Sequence, residues 1–338
     1  MQIHQANSAE EIERDRKTAE AWGEHLTLEG YLQRESTLRE TEFGGGKRTW
    51  LATVSEVPGE VVCSCESYET VSWFGGKKVQ SLGLASVYTE PKFRGKGYAS
   101  RMLALVADQL KKTYPNAFAW TGYSEVGAAI YQRVGFQIPK TFEWKAQYPR
   151  KNPSIDPEVR LYTQVEILEE TYAGKRNWFT PGKPVESGEW DAVGFDGRQA
   201  IWIWGREEIY RAAKGRKAAP AHGALIQGSS GFSGLMWTLN HKADELWILN
   251  AFSTSEKKSA QSEMKKLIHA AIGSTQNLGL NTAILWNESA FSDFDFLESE
   301  TEMAWKKAPN TDSIPIVYPL KAGVTAEKIR VVPFGAWL

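Results

Sequence analysis

Between a strand-like run, Leu82 to Thr89, and an amphipathic helix, Ser100 to Lys112, the chain reads Pro91-Lys92-Phe93-Arg94-Gly95-Lys96-Gly97-Tyr98-Ala99. Two glycines let the backbone turn tightly and approach a ligand without a Cβ in the way. The free N–H groups of such a turn and of the helix N-terminus converge on one spot suited to phosphate oxygens. Arg94, Lys96 and Arg101 add positive charge around it. Met102, Leu103, Val106, Ala107 and Leu110 recur at helical spacing, so the helix has one apolar face to bury. A turn that merely needs glycine is the plainer alternative, and the register of strand, loop and helix argues against it.

Two nucleotide-binding patterns fail on spacing. No stretch supplies G-x-x-x-x-G-K-[ST]; Gly44-Gly45-Gly46-Lys47-Arg48-Thr49 lacks the upstream glycine. A dinucleotide loop wants glycine or alanine where this chain has Ser100.

The flanking sequence predicts an α/β fold with a mixed, α+β sheet. Ser8-Ala9-Glu10-Glu11 has the form of a capping box before a charged helix running towards Glu24. A second helix is expected over Glu29 to Thr41, broken by Gly44-Gly45-Gly46. Strands are expected at Thr49 to Val54, Glu60 to Cys65 and Leu82 to Thr89, with turn signals at Pro58-Gly59 and Gly75-Gly76. Beyond the amphipathic helix come a strand at Ala117 to Gly122, a helix at Glu125 to Val134 stopped by Gly135, and a strand from Phe136.

A length of 338 residues, at about 150 per domain, suggests two domains. The polar, proline-bearing stretch Pro149 to Asp156 places the boundary, giving 1–155 and 156–338. The second half repeats the rhythm, with strands at Ala200 to Trp204, Gly223 to Ile226, Gly234 to Leu239 and Glu245 to Phe252. An amphipathic helix at Ser259 to Ile272 and a strand at Thr282 to Trp286 follow, so a divergent duplication is plausible. Ser253-Thr254-Ser255-Glu256-Lys257 stand where a second glycine loop would be, and no second site of that kind is expected. Trp202, Trp204, Trp237, Trp247 and Trp286 read as an aromatic-rich sheet core rather than a stacking surface.

Forty basic against 41 acidic side chains argue against a general nucleic-acid binder. No apolar run reaches the ~18 residues of a membrane span, and Met1 to Lys17 has no apolar signal core. Cys63 and Cys65 are too close for an unstrained disulfide and too few for a structural zinc site, and the five histidines are scattered. The expectation is a cytoplasmic protein with reduced thiols, without metal, membrane or nucleic-acid partner.

Arg94 to Ala99 resembles the R/Q-x-x-G-x-G/A loop of the GNAT N-acetyltransferase superfamily, which holds the pyrophosphate of acetyl-coenzyme A. Thr89-Glu90-Pro91 is similar to that family's V-x-P, and Ile130-Tyr131-Gln132-Arg133-Val134-Gly135-Phe136 to its L-Y-x-x-x-G-F, in the family's order and spacing over residues 25 to 145. Ser124 departs from the Asn often found there. A narrower resemblance is to fungal lysine N6-acetyltransferases of the Lyc type. Tyr31 to Leu38, Ser64-Cys65-Glu66-Ser67, Ala85 to Thr89, Tyr123 to Gly127 and the Gly335-Ala336-Trp337-Leu338 ending carry it.

The resemblance implies two tandem GNAT-like lobes in a monomer, the first catalytic and the second a degenerate copy that shapes the acceptor site. It implies that Tyr88, Thr89, Arg94, Gly95, Lys96, Gly97, Tyr98, Ala99 and Ser124 contact acetyl-coenzyme A, with the N–H groups of Tyr88 and Thr89 facing the thioester carbonyl. Tyr131 sits where the family keeps a general acid for the thiolate; a packing role is the alternative. An alkylammonium, with a pKa of about 10.4, must lose a proton before it attacks. Glu125 and Glu66 are the candidate bases, though either could be a solvated or salt-bridged glutamate.

The expected reaction is acetyl transfer to a primary amine of a small molecule, with free lysine the best single acceptor. Protein or histone lysines, polyamines, and a non-catalytic coenzyme A sensor remain open. The apolar ending suggests that Trp337 docks near the lobe interface, or completes the second lobe's own sheet.

Overall fold

A computed structural model describes residues 1–74, 77–149, 153–179, 191–286, 291, 293–300, 303–331 and 335. The chain opens with strand β1 (Gln2–Gln5) and helix α1 (Ser8–Trp22). Asn7, one residue before the expected position, caps α1: its side chain accepts from the N–H groups of Ala9 and Glu10, and Glu10 accepts from that of Asn7. Helix α2 (Leu28–Arg39) is followed by a single turn, α3 (Glu42–Gly45), so two of the three glycines lie inside a helical turn.

Strands β2 (Arg48–Thr53), β3 (Val61–Phe74) and β4 (Lys77–Thr89) come next. β3 and β4 are much longer than expected and pair along a hairpin from Cys63↔Thr89 to Phe74↔Lys77. Most of β3 is buried on both faces, so it lacks the alternation that marks a half-buried strand. The turn expected at Gly75-Gly76 lies outside the described residues. Helix α4 (Tyr98–Thr113) and strand β5 (Ala119–Ser124) follow. The helix expected over Glu125 to Val134 is only a turn, α5 (Ala129–Gln132). Ser124 Oγ donates to the Gly127 carbonyl (2.6 Å) and Gly127 takes a φ of 88°, which holds the preceding residues in a turn instead.

Strand β6 (Phe142–Gln147) begins six residues later than expected. The second half contains β7 (Arg160–Tyr162), α6 (Gln164–Tyr172), β8 (Asp191–Val193), α7 (Gly197–Ala213), β9 (Gly223–Gln227), β10 (Phe232–Asn240), β11 (Glu245–Ser253), α8 (Lys257–Thr275), β12 (Thr282–Trp286), β13 (Lys306–Pro309), β14 (Ile314–Pro319) and β15 (Ile329–Val331). The strand expected at Ala200 to Trp204 is the middle of α7. Asp196 caps that helix, and Ala200, Ile203, Trp204 and Glu207 are buried on it at helical spacing. A short apolar run does not distinguish strand from buried helix by itself.

The first sheet has the order β1-β2-β3-β4-β5-β14, with β8 on the far part of β3 and β15 on β8; the second runs β13-β6-β12-β11-β10-β9-β7. Each half of the chain therefore contributes to the other's sheet: β6 pairs with β12 and β13, while β14 pairs with β5 and β8 with β3. Both sheets contain one parallel pair joined by a helix, β4–α4–β5 and β11–α8–β12. α4 buries Met102, Leu103, Val106 and Leu110 on the first sheet; α8 buries Met264, Leu267, Ile268 and Ile272 on the second. A third core joins the halves and holds Trp178, Trp202, Trp204, Trp247 and Trp286. Among the described residues no helix is long and apolar enough to cross a membrane.

Candidate active site

Parallel pairing between β4 and β5 runs only from Leu82↔Trp120 to Leu84↔Gly122. Beyond it the register of β4 on β3 shifts between Ser64 and Glu66, and Ser86 takes a φ of 52°, the signature of a bulge that bends its strand. The two strands part. Ala85, Ser86 and Val87 on one side and Tyr123 and Glu125 on the other line a cavity of about 580 Å³.

A buried charge network holds that bend. Arg14 on α1 donates to the Ser86 carbonyl (3.1 Å) and to Glu66 Oε1 (2.9 Å). Lys47 Nζ donates to the same carboxylate oxygen (3.0 Å), and the Tyr68 hydroxyl to the other (3.1 Å). Burial opposes a charge on Glu66, but Arg14 and Lys47 outweigh it and hold the carboxyl well below the usual range. A carboxylate so firmly ionised is a weak proton acceptor. Glu66, a candidate base by sequence, lines the cavity wall, yet its geometry suits positioning of the strand rather than proton abstraction. Asp15 and Glu35 bring oxygens within 4.8 Å of Glu66 and of each other, with Arg39 donating to Asp15 (2.7 Å) and Arg34 to Glu35. Nothing in the sequence signalled this network, because residues 14, 47 and 66 meet only through tertiary packing.

The glycine loop follows directly on the parted end of β4 and leads into α4. A short turn, Pro91–Phe93, anchors it through the buried Phe93 ring. Gly95 and Gly97 have φ of 78° and 73°, a region that favours glycine, and a Cβ at either would point into open space. Gly97 is the N-cap of α4 and gives it no side-chain cap, so the first N–H groups of the helix are left for a ligand. Arg94 Nε donates to the Thr89 carbonyl (3.1 Å), and its guanidinium lies 5.7 Å from the Tyr88 ring. Lys96 is exposed beside it. Tyr88, Thr89, Arg94, Gly95, Lys96, Gly97 and Tyr98 thus lie along the turn between β4 and α4, whose free N–H groups and cations are the ones that could hold a pyrophosphate. Ala99 differs: its methyl is buried beneath the helix. Ser124 also differs, since its hydroxyl is engaged within the protein by Gly127 and Tyr131.

Tyr131 lines the cavity, 5% exposed, with its ring edge-on to Phe136 (5.6 Å). Burial pushes its hydroxyl up to about 12 despite the hydrogen bond with Ser124. It therefore stays protonated at working pH, as a proton donor requires. Glu125 is exposed at the cavity edge. The wall opposite comes from the second half and includes Trp202, Arg206, Tyr210, His241 and Trp247, none of them singled out by sequence as site residues.

The second lobe repeats the crossover without the opening. Past Ile248↔Leu285, the Phe291 N–H donates to the Ala251 carbonyl (2.7 Å), and Asn250 Nδ2 to the Trp178 carbonyl (3.0 Å), so β11 is bonded where β4 is free of β5. Glu256, not a glycine, stands at the N-cap of α8. The C-terminal Trp337 lies outside the described residues; Gly335 packs so closely on Phe195 that a Cβ would come within 2.3 Å of its ring.

Residues 18–138 match the family described as acetyltransferase (GNAT) domain, and residues 195–323 match the LYC1 GNAT-like C-terminal domain. The chain belongs to the GNAT superfamily. It is an acyltransferase dependent on acetyl-coenzyme A. Solved structures extend the likeness across both lobes. A probable N-acyltransferase from Enterococcus faecalis shares 12% identity over 95% of this chain and 72% of its own, with a TM-score of 0.61. GCN5-related N-acetyltransferases from Anabaena variabilis (12%, 95% and 73%, TM-score 0.56) and Kribbella flavida (14%, 94% and 72%, TM-score 0.53) share the same fold. No curated protein matches the chain in sequence.

Proposed function

We propose that residues 1–155 transfer the acetyl group of acetyl-coenzyme A to a primary amine of a small molecule, with the N6 amine of free lysine as the acceptor. Residues 156–338 shape the acceptor site. The observation that carries this is the opening between β4 and β5: β4 runs on into the glycine loop, and Tyr131 and Glu125 line the cavity at the opening.

The amine attacks the thioester carbon, and the C–S bond breaks as the tetrahedral adduct collapses. Backbone N–H groups near Tyr88 and Thr89 stabilise the oxyanion. The Tyr131 hydroxyl donates to the departing thiolate, and the proton of the ammonium leaves through Glu125, directly or by way of water. Walls from both lobes around a cavity of about 580 Å³ support a small acceptor over a protein tail. The resemblance of Tyr31 to Leu38 and Ala85 to Thr89 to fungal lysine N6-acetyltransferases supports lysine. Because the wall comes from the chain's own second lobe, a monomer suffices. The free, buried Cys63 and Cys65 suit a reducing cytoplasm.

Release of coenzyme A thiol is to be measured across amino acids, polyamines and basic peptides. The expected result is turnover with lysine and recovery of N6-acetyl-lysine. Preference for peptides would replace the acceptor, and binding of coenzyme A without release would make the chain a sensor.

A further inference from the structure

Most of the carboxylates that line the cavity have a basic side chain against them. Glu66 has Arg14 and Lys47, and Glu35 has Arg34. Glu207 has His222 (2.8 Å), Asp312 has Lys145 (2.8 Å) and Glu24 has Lys242 (3.6 Å). Glu125, from the first lobe, and Glu245, from the second, line the same cavity and have no such partner among the described residues.

The direction of Glu245 follows from strand alternation in β11. Leu246 and Ile248 pack into the core beneath α8, whereas Trp247 and Leu249 belong to the core that joins the halves. Glu245 therefore shares the face of Trp247, which also lines the cavity, and it is only partly buried. The Trp247 indole N–H donates to Glu245 Oε2 (2.8 Å), and Asn240 Nδ2 approaches the same oxygen (3.5 Å). Oε1 takes no bond among the described residues and is not sealed from solvent. Lys145, the nearby cation, is committed elsewhere, to Glu143 and Asp312 at 2.8 Å each. Burial holds the Glu245 carboxyl above its ordinary range despite the Trp247 N–H and Lys145, so the carboxylate gains from a cation brought to it.

We infer that Glu245 is a specificity residue for a second ammonium group on the acceptor: Oε1 accepts from that group while the reacting amine lies at Tyr131 and Glu125. The inference rests on the acetyltransfer proposed above and narrows its acceptor to a molecule with two ammonium groups. In lysine the second is the α-ammonium. A monoamine leaves Glu245 without its counter-charge.

The test measures kcat/KM for lysine, pentane-1,5-diamine and 6-aminohexanoate at pH 7 with the wild type, Glu245→Gln and Glu245→Ala. The diamine keeps the second ammonium without the carboxylate, and 6-aminohexanoate keeps the carboxylate without the second ammonium. The wild type should prefer both lysine and the diamine to 6-aminohexanoate by at least about tenfold. Each variant should lose about 10- to 100-fold on lysine and the diamine, mainly through KM, with little change on 6-aminohexanoate. Calorimetry with acetyl-coenzyme A shows that each variant is folded, and Glu245→Ala carries the test if Glu245→Gln does not fold. A wild type that uses 6-aminohexanoate as well as the diamine overturns the inference, as do unchanged ratios in a folded variant. Absence of thiol release with every amine overturns the acetyltransfer reading itself, so the two failures are distinguishable.

Discussion

Replacing Glu66 with glutamine separates positioning from catalysis. The substitution removes the negative charge that faces Arg14 and Lys47, whose side chains are 5% and 4% exposed. Breaking one side of a buried ion pair costs about 3–5 kcal/mol. Asp15 Oδ1 remains 3.3 Å from Arg14, so one cation keeps a counter-ion and the lower end, about 3 kcal/mol, is expected. With a urea slope of about 2 kcal/mol per molar, the unfolding midpoint should fall by about 1.5 M. Adding Lys47→Met should restore part of that loss, because the second stranded cation is gone. The folded pKa of Glu66 is depressed, so its contribution is complete above the unfolded value of about 4.3 and fades as pH falls towards the folded one. The gap between wild type and variant should therefore stay constant from pH 6 to pH 8 and shrink in acid. Tryptophan fluorescence in urea gives the midpoint, and thiol release gives the turnover, which should fall by about tenfold at most. A Glu66→Gln protein with the wild-type midpoint and a turnover lower by about 10²- to 10⁴-fold would refute this reasoning and make Glu66 the base.

Gly97→Val should weaken acetyl-coenzyme A by at least about tenfold in calorimetry. The left-handed backbone there should also cost about 1–3 kcal/mol of stability, and unchanged affinity in the folded variant would dismiss the phosphate loop. Tyr131→Phe keeps the ring against Phe136 and removes the hydroxyl, so kcat should fall about 10²- to 10⁴-fold with little change in KM. Because burial raises that hydroxyl to about 12, the wild-type pH profile should show no loss from tyrosine ionisation below about pH 10; an unchanged kcat in the variant would leave Tyr131 a packing residue. Burial pushes the Cys63 thiol up to about 12 and Cys65 well above its ordinary value. Neither should react with an aromatic disulfide reagent until the protein is denatured, and rapid reaction of the native protein would contradict that burial.

What the sequence revealed follows the range of each interaction. The strand, loop and helix around Gly95 and Gly97 were legible because backbone sign, cation placement and apolar spacing are all local properties. α4 and α8 emerged where expected, give or take a few residues, for the same reason. β3 and β4 were seen only in part, since burial on both faces erases alternation. The Ile201-Trp202-Ile203-Trp204 run was assigned to a strand, whereas the Asp196 cap and the buried i, i+3, i+4 set make it helical. The exchange of β6 and β14 between sheets depends on which edges meet in three dimensions, and no local pattern specifies it. The Arg14–Glu66–Lys47 clamp was hidden in the same way: Arg14 and Lys47 alone look like ordinary surface charges, and Glu66 stands out only as a candidate base.

The comparison between the lobes shows how little separates a site from a wall. Both contain a parallel strand pair crossed by an amphipathic helix, and both pairs end after a few residues. In the first lobe a bulge at Ser86, held by Arg14, turns the strand away and leaves the gap open. In the second, the strand continues to Ser253 and Phe291 bonds to it, so β11 is bonded at the corresponding place. The residues at the helix start differ in the same sense: Gly97 leaves N–H groups for a ligand, while Glu256 opens a helix with no such loop. Loss of the opening does not make the second lobe idle. Its α7 and β11 supply Trp202 and Glu245 to the cavity that the first lobe opens. A bonded copy is also the better wall, because a strand pair that is bonded and packed holds its side chains more rigidly than one parted for a substrate. On that view, acetyl-coenzyme A affinity should depend on the first lobe alone, whereas the choice of acceptor depends on both.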